Sequence, residues 1–309
     1  MIVNTGQRTD IPAFYAKWFS KRLEEGFVYV RNPYYPHLVT KFRLDPSLVD
    51  LIAFCTKNPA PMFPYLDKLA PYGQFWYVSI TGLGKEYEPR VPEKAKVIED
   101  FKFLSSKVGA ASMGWRYTPI ILDERYDKAH HIKAFEYIAR KLEGYTHLVA
   151  YGFLDPYPKL IRLHPELRDC DERTKVELSL AFKEIASRHH MELRLCSKEK
   201  YLRDYGIDVE GCMRVGDYER ALGEKLEVKK KGEARKGYCA CYLFNDIGAY
   251  SSCLHLCRYC YANGRKEEVE ANYATHDDDS PLLLGHLEEG DILKEAKQES
   301  FRSKTVSLF

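Results

Sequence analysis

Three closely spaced cysteines near the C-terminus are the residues best suited to hold an inorganic centre. Cys253, Cys257 and Cys260 form a C-x3-C-x2-C pattern, with Tyr259 just before the last thiol. Three thiolates this close together can bind one four-iron, four-sulfur cluster and leave its fourth iron without a protein ligand. Such an open iron can act as a Lewis acid toward a small chelating ligand. The spacing therefore predicts a [4Fe-4S] cluster with one free coordination position.

Zinc and disulfides are the alternatives for these cysteines. A structural zinc site usually has two separated pairs of cysteines, and three thiols within eight residues fit that pattern poorly. Disulfides are typical of secreted proteins. A signal peptide has a basic segment followed by a long apolar run, and the first residues of this sequence show neither. The pattern favours a cluster and keeps zinc as the alternative.

Four further cysteines predict a second metal centre. Cys239 and Cys241 are two residues apart, so on an extended segment both thiols point to the same side. Cys196 ends a predicted strand, and Cys212 lies in a glycine-flanked turn. Four thiolates could hold an auxiliary iron–sulfur cluster or a zinc ion. The alternative is packing, because free cysteines are among the most buried residues.

Composition predicts a folded, cytoplasmic protein with no membrane segment. The chain has 309 residues, 45% of them hydrophobic and 13% aromatic, enough for one large domain or two ordinary ones. No window approaches the 18 consecutive apolar residues of a membrane helix. The net charge of +2 gives no general argument for nucleic-acid binding, although a local basic patch stays open.

Apolar segments that alternate with amphipathic helices predict an α/β fold. Alternation of this kind implies parallel strands joined by right-handed crossovers, as in a partial (βα)6 barrel or a TIM-like barrel. A hairpin near residues 27–44 is expected beside the main sheet. The predicted strands are residues 2–5, 51–55, 75–80, 108–117, 147–153 and 192–196, and the predicted helices are residues 13–25, 92–107, 129–142 and 172–190.

Polar side chains follow the predicted strands. In parallel barrels the loops after the strands share one face, so these residues are expected to form a pocket. Taken singly, each could instead be a helix cap or a solvated charge. The residues are Arg8, Asp10, Lys57, Asn58, Thr81, Arg116 and Asp155.

Three regions follow from these patterns. Residues 1–200 are predicted to form the barrel, and residues 201–263 a cysteine-rich segment that closes it. Residues 264–309 are acidic and polar, and we expect a partly disordered tail there. The lysine-rich residues 224–236 are predicted to be exposed surface. The alternative is that they form a basic patch that binds an acidic partner.

Several motifs resemble one uncharacterised family across residues 1–263. They are residues 8–15 (RTDIPAFY), 56–59 (TKNP), 246–253 (DIGAYSSC) and 257–262 (CRYCYA). The family is domain-of-unknown-function family 1848, whose members carry a cysteine trio of the radical S-adenosylmethionine (SAM) type at the C-terminus. The ending Cys260-Tyr261-Ala262 is also locally similar to the cluster loop of spore photoproduct lyase. Cys55 stands where the family usually has tryptophan, and Thr118 where it usually has aspartate.

The resemblance implies a circularly permuted radical SAM barrel that binds SAM at a [4Fe-4S] cluster. Its ligands would be Cys253, Cys257 and Cys260, and a reductant such as a flavodoxin or ferredoxin would supply the electron. Reductive cleavage of SAM would then give a 5′-deoxyadenosyl radical that abstracts hydrogen from an unknown substrate. His255 is expected to hydrogen-bond near the cluster without ligating it. The expected cofactor-binding residues are Gly6, Gln7, Arg8, Asp10, Lys57, Asn58, Tyr259 and Tyr261.

Among these, the turn at residues 5–8 is the candidate replacement for the Gly-Gly-Glu turn that usually holds the SAM amino group. Other functions stay open: a non-catalytic iron–sulfur electron carrier, a nucleic-acid repair or modification enzyme, and a zinc-stapled binding module.

Overall fold

The computed structural model describes residues 1–196, 198–228, 241–242 and 245–302. Its strands, numbered along the chain, are β1 (Ile2–Asn4), β2 (Phe27–Arg31), β3 (Leu38–Arg43), β4 (Leu51–Thr56), β5 (Gly73–Ser79), β6 (Met113–Ile120), β7 (Leu148–Phe153), β8 (Glu192–Leu195) and β9 (Ile292–Glu295). Six of them form one parallel sheet in the order β1-β4-β5-β6-β7-β8. The predicted α/β class is confirmed.

Helices fill the connections between these strands. They are α1 (Ile11–Phe14), α2 (Ala16–Glu25), α3 (Leu66–Leu69), α4 (Lys94–Val108), α5 (Lys128–Leu142), α6 (Pro158–Leu163), α7 (Glu172–Arg188), α8 (Val215–Leu222) and α9 (Lys266–Ala274), with 3-10 turns at Ala60–Tyr65, Ala110–Ser112 and Lys200–Tyr205. Polar caps start several of them: Asp127 accepts a hydrogen bond at the start of α5, and Asp171 does so at the start of α7. In the described part of the chain, no helix has the length and apolar character needed to cross a membrane.

The two faces of the sheet pack against different layers, because side chains alternate along each strand. On one face Trp76 and Trp115 lie in the main core with the surrounding helices. On the other face Phe75 and Leu148 pack with Tyr218 of α8. The helix α8 covers the start of β5 so closely that a methyl group on Gly73 would come within 2.2 Å of the Leu222 side chain. The amino end of this inner face is thus filled, and the carboxyl end is left for a cavity.

The described strands form an open sheet rather than a closed barrel. Single bridges extend each edge: Asn4 of β1 pairs with Asp246, and Arg194 of β8 pairs with Asp208. The two segments that carry these bridges are linked by a hydrogen bond from the Tyr242 N–H to the Met213 carbonyl, 2.7 Å long. The described residues of the loops that carry Cys212 and Cys241 therefore contact each other near these bridges.

The structure differs from the predictions most clearly at the start of β6 and in the C-terminal region. The strand expected at 108–117 begins at Met113, because Val108 ends α4, Gly109 turns with a positive φ of 85°, and a 3-10 turn follows. The expected disorder of the tail is not found over residues 264–302. There α9 packs beside the cysteine loop, and β9 pairs in parallel with β3 of the hairpin. This small sheet has the order β2-β3-β9.

Candidate functional site

A cavity of about 700 Å³ lies at the carboxyl end of the sheet and brings both cysteine sets together. The lining includes Cys253, Cys257 and Cys260. Of the residues expected to bind the cofactor, all but Asn58 line this cavity in the described chain; they are Gly6, Gln7, Arg8, Asp10, Lys57, Tyr259 and Tyr261. The same cavity reaches Cys196, Cys212 and Cys241. Cys239 lies outside the described residues.

The cysteine loop is closed by its own backbone and by α9. The Ser251 N–H donates to the Ala262 carbonyl at 2.9 Å, and the Asn263 side chain bonds both the N–H and the carbonyl of Cys253. Asn272 of α9 donates to the Ser251 carbonyl at 3.0 Å. Ser251 and Leu256 adopt positive φ angles of 51° and 53°, which let the loop fold back on itself. These bonds point the three thiols toward one cavity.

Burial changes the acidity of these thiols. It raises the pKa of Cys253 well above the ordinary value for a thiol, raises that of Cys257 to about 12, and raises that of Cys260. The thiols are therefore protonated at neutral pH when no metal is bound. Because thiolates are the metal ligands, binding of a metal centre would release their protons.

Asp10 joins three loops with one carboxylate. Its Oδ1 accepts from the Ala13 N–H at 3.1 Å and caps α1. Its Oδ2 accepts from the Lys57 N–H at 2.8 Å and from Nε2 of His255 at 3.0 Å. Asp10 and His255 are both buried. The bonds of Asp10 assign it to positioning the cysteine loop against the ends of β1 and β4.

The buried carboxylate of Glu88, which belongs to no sequence motif, connects Lys57, Lys94 and Tyr259. Glu88 is 1% exposed and pairs with Lys57 at 2.7 Å and with Lys94. The Tyr259 hydroxyl donates to Glu88, and Nζ of Lys57 lies 5.5 Å from the centre of the Tyr259 ring. Burial alone would raise the pKa of Glu88, but the two lysines lower it to about 2. Sequence reasoning missed Glu88 and Lys94.

The turn at residues 5–8 is held by Asp246. The Gln7 N–H donates to Oδ1 of Asp246 at 3.1 Å, and Nε of Arg8 donates to Oδ2 at 2.5 Å. Gly6 passes directly over Cys55, where an added Cβ would lie 2.3 Å from the Cys55 carbonyl oxygen. Only glycine fits there, so the close approach explains the residue at this position. The Tyr261 hydroxyl bonds the Gln7 carbonyl at the cavity rim.

Two polar atoms near the site lack hydrogen-bond partners within the described residues. Oγ1 of Thr9 is buried, and Thr9 lines the cavity. Oδ1 of Asn58 is also buried, although the Asn58 N–H donates to Thr56 Oγ1 at 2.9 Å. Buried polar atoms normally have a partner. Thr9 belongs to the cavity lining, whereas Asn58 lies behind it.

The second cysteine set forms a chain of sulfur contacts beside an arginine. Sγ of Cys212 lies 3.2 Å from Sγ of Cys196 and 3.5 Å from Sγ of Cys241. Arg116 donates to Cys196 at 3.3 Å and to Cys212 at 3.6 Å. Hydrogen bonding to Cys241 and burial raise the pKa of Cys212 to about 12, although the contact with Cys196 lowers it. In the parts of the chain that are described, no three His, Cys, Asp or Glu side chains are arranged to hold a single metal ion.

Comparison with known proteins places the chain in a family without assigning an activity. No curated protein and no solved structure matches it. Residues 2–262 match a family model described as Domain of unknown function (DUF1848). This match covers most of the 309 residues, including the sheet and the cysteine loop. The chain therefore belongs to the DUF1848 family of unknown function.

Proposed function

We propose that this chain is a radical SAM enzyme whose [4Fe-4S] cluster is held by Cys253, Cys257 and Cys260. The observation that carries the proposal is that these three thiols line one cavity at the carboxyl end of a parallel sheet. Ligands commonly bind at this edge of α/β folds. Six parallel strands in sequence order, followed by the cysteine loop, support a circularly permuted radical SAM barrel.

The residues of the site fit a cluster. The three thiols belong to a compact, hydrogen-bonded loop, and all three line the cavity. The ligands of a cluster lie farther apart than the ligands of a single ion. Among the described residues no three ligands are arranged around a single ion, and this favours a cluster over zinc. When bound, a three-thiolate cluster would supply an open iron for the amino and carboxylate groups of SAM and the electron that cleaves SAM to methionine and a 5′-deoxyadenosyl radical.

The chain's own side chains would orient SAM and exclude water. Gly6 keeps the turn at residues 5–8 against the cavity wall, and Asp246 holds the Gln7 N–H and the Arg8 side chain in place. Asp10 and His255 fix the cysteine loop relative to β1. Glu88 and Lys57 hold the Tyr259 ring beside Cys257. A rigid, mostly buried wall of this kind suits a reactive intermediate that must not meet solvent.

The proposal also includes a reductant, a cellular location and a second metal centre. A reductant such as a flavodoxin or ferredoxin would supply the electron, and we expect the enzyme to work in the cytoplasm. A second metal centre at Cys196, Cys212, Cys239 and Cys241 stays a prediction. The structure places three of these cysteines together, and the fourth lies outside the described residues.

A nucleic-acid substrate is the second candidate, because a groove of about 1020 Å³ adjoins the cavity at Cys257 and Cys260. Exposed aromatic rings among basic side chains are typical of single-strand binding. Three of the basic residues are already paired: Arg90 and Lys266 with Glu270, and Arg258 with Glu166. Binding to single-stranded DNA that weakens steeply with salt would support this substrate class. The lining includes Tyr34, Tyr157, Tyr250, Tyr261, Arg90, Lys159, Arg258, Arg265 and Lys266.

Anaerobic reconstitution tests the proposed function. Iron and sulfide are counted in the desalted protein, and 5′-deoxyadenosine is then measured after addition of dithionite and SAM. We expect about four iron and four sulfide per chain for one cluster, or about eight with a second cluster, and formation of 5′-deoxyadenosine. A cluster without any SAM cleavage would favour an electron carrier. Zinc without iron or sulfide would favour a zinc-stapled binding module.

A further inference from the structure

Arg116 is a cation inside the cavity with no carboxylate partner among the described residues. It lies on β6 in register with Ser79 of β5, and both residues line the cavity. Its guanidinium carbon lies 5.5 Å from the centre of the Tyr77 ring. Its hydrogen bonds go to the sulfurs of Cys196 and Cys212. The terminal nitrogens thus rest against thiols, which are weak acceptors.

The other lysine and arginine side chains that line the described cavity are paired. Arg8 bonds Asp246 at 2.5 Å, Lys57 bonds Glu88 at 2.7 Å, and Lys198 bonds Asp155 at 3.1 Å. These pairs neutralise the cavity wall everywhere except at Arg116. A guanidinium partly removed from water without an anion is costly, so its partner is expected to come from beyond the described residues.

We propose that Arg116 binds the carboxylate or phosphate group of a small anionic substrate. A guanidinium offers a planar pair of N–H groups that matches both anions in a bidentate manner. Exchanging two thiol contacts for two oxygen contacts breaks no strong bond. The stacking of Arg116 on Tyr77, whose hydroxyl bonds the Cys212 carbonyl at 2.5 Å, holds the guanidinium in place beforehand. The reaction of this substrate rests on the proposed function, but its binding does not.

A second metal centre is the competing partner for Arg116. Four sulfurs around one zinc at about 2.3 Å would lie roughly 3.8 Å apart. The observed sulfur separations of 3.2 and 3.5 Å are shorter, and the guanidinium itself bonds two of the three sulfurs. The described geometry is that of thiols in mutual contact beside a cation. A metal at these cysteines would have to separate the sulfurs and displace the guanidinium, whereas an anion at Arg116 would replace only the two thiol contacts.

The test compares anion binding in wild type, Arg116→Gln, Arg116→Lys and a surface control. Arg173→Gln is the control, since Arg173 is 88% exposed and pairs with Glu177 on α7. Inorganic phosphate and succinate are titrated separately into anaerobically reconstituted protein at low salt by calorimetry. We expect wild type and the control to bind at least one of them at one site. Loss of the partly buried charge in R116Q should weaken binding about 30-fold or more, with R116K in between. Preference for succinate or for phosphate identifies the group recognised.

Three results would overturn the inference. The first is binding of neither anion by wild type, and the second is equal binding by wild type and R116Q. The third is a second cluster in wild type that R116Q loses, seen as about four fewer irons per chain, because the guanidinium would then serve that centre. Circular dichroism of R116Q and R116K checks that both variants keep the fold. Failure of SAM cleavage in the same wild-type sample would contradict the proposed function while leaving the anion result unchanged.

Discussion

The Asp10 carboxylate and the His255 imidazole meet at 3.0 Å, although they are far apart in the sequence. Both side chains are buried, and the other bonds of Asp10 hold the start of α1 and the Lys57 N–H. This pair is one direct link between the loop after β1 and the loop that carries three cysteines, and the bond from the Tyr261 hydroxyl to the Gln7 carbonyl is another. Positioning of the thiols therefore depends on a residue that is not itself expected to bind metal.

Asp10→Asn should lower both stability and iron retention. Asparagine caps helices as well as aspartate does. However, the substitution puts an amide group in place of a carboxylate whose Oδ2 accepts two buried hydrogen bonds. We expect the free energy of unfolding to fall by about 1–3 kcal/mol and iron per chain to fall after reconstitution and desalting. Asp171→Asn is the matched control, because Asp171 caps α7 at the surface. Equal iron contents in D10N, D171N and wild type would contradict the positioning role.

Glu88→Gln should destabilise the chain more than a comparable surface change. The substitution leaves Lys57 and Lys94 without their shared anion in a buried place. Removing one partner of a buried ion pair costs about 3–5 kcal/mol of unfolding free energy. Glu177 also pairs with two cations, Lys128 and Arg173, but it is 39% exposed, and E177Q should cost much less because solvent screens exposed ion pairs. Urea unfolding of the two variants measures the difference, and similar losses would count against the buried network.

The contribution of Glu88 should depend on pH in the acid range. Its pKa is about 2 in the folded chain and 4.5 ordinarily, so the unfolded chain binds more protons between these values. The stabilisation is complete above about pH 4.5 and is lost as the pH falls toward 2, by about 3 kcal/mol in total. Urea unfolding of wild type and E88Q at pH 6 and pH 3 should show a smaller gap at pH 3. A gap that stays constant would show that Glu88 is not held as an anion.

Gly6→Ala should disrupt the turn beneath the cavity. The added methyl group would collide with the Cys55 backbone at 2.3 Å, so either β4 or the turn must shift. Overpacking of this kind typically costs about 1–3 kcal/mol. Gly216 in α8 has no atom within 4 Å of an added Cβ, and G216A should stabilise by up to about 1 kcal/mol. Thermal unfolding of both variants gives the comparison, and a G6A protein as stable as G216A would be inconsistent with the close approach.

The regular elements could be predicted because hydrophobic periodicity is local. The six strands and four long helices of the main sheet lie close to their predicted positions, since each must bury one face. The start of β6 was placed too early, because the apolar pattern continues through Gly109 and the 3-10 turn after it. The pairing of β9 with β3 could not be predicted from the sequence. The residues of β9 are all exposed and do not alternate between apolar and polar as a core strand does.

The candidate site could be predicted only where residue type and position both carried information. Cysteines and polar residues after strands were identified, and the structure brings them to one cavity. Glu88 was missed because it lies in a charged loop, where glutamate ordinarily faces water. Its burial arises only when Lys57, Lys94 and Tyr259 converge from three different segments. The contacts of Arg116 with Cys196 and Cys212 depend on the same kind of non-local packing.

The most direct test of the central claim is the electron paramagnetic resonance spectrum of the reduced, reconstituted protein with and without SAM. The account predicts a spectrum of a reduced [4Fe-4S] cluster whose g values shift when SAM is added, because an iron without a protein ligand takes up its amino and carboxylate groups. It also predicts that the shift on addition of SAM disappears when Cys253, Cys257 or Cys260 is replaced by alanine, even where a second cluster still gives a signal. A cluster spectrum that SAM leaves unchanged, or a SAM-dependent shift that survives all three substitutions, would contradict the claim.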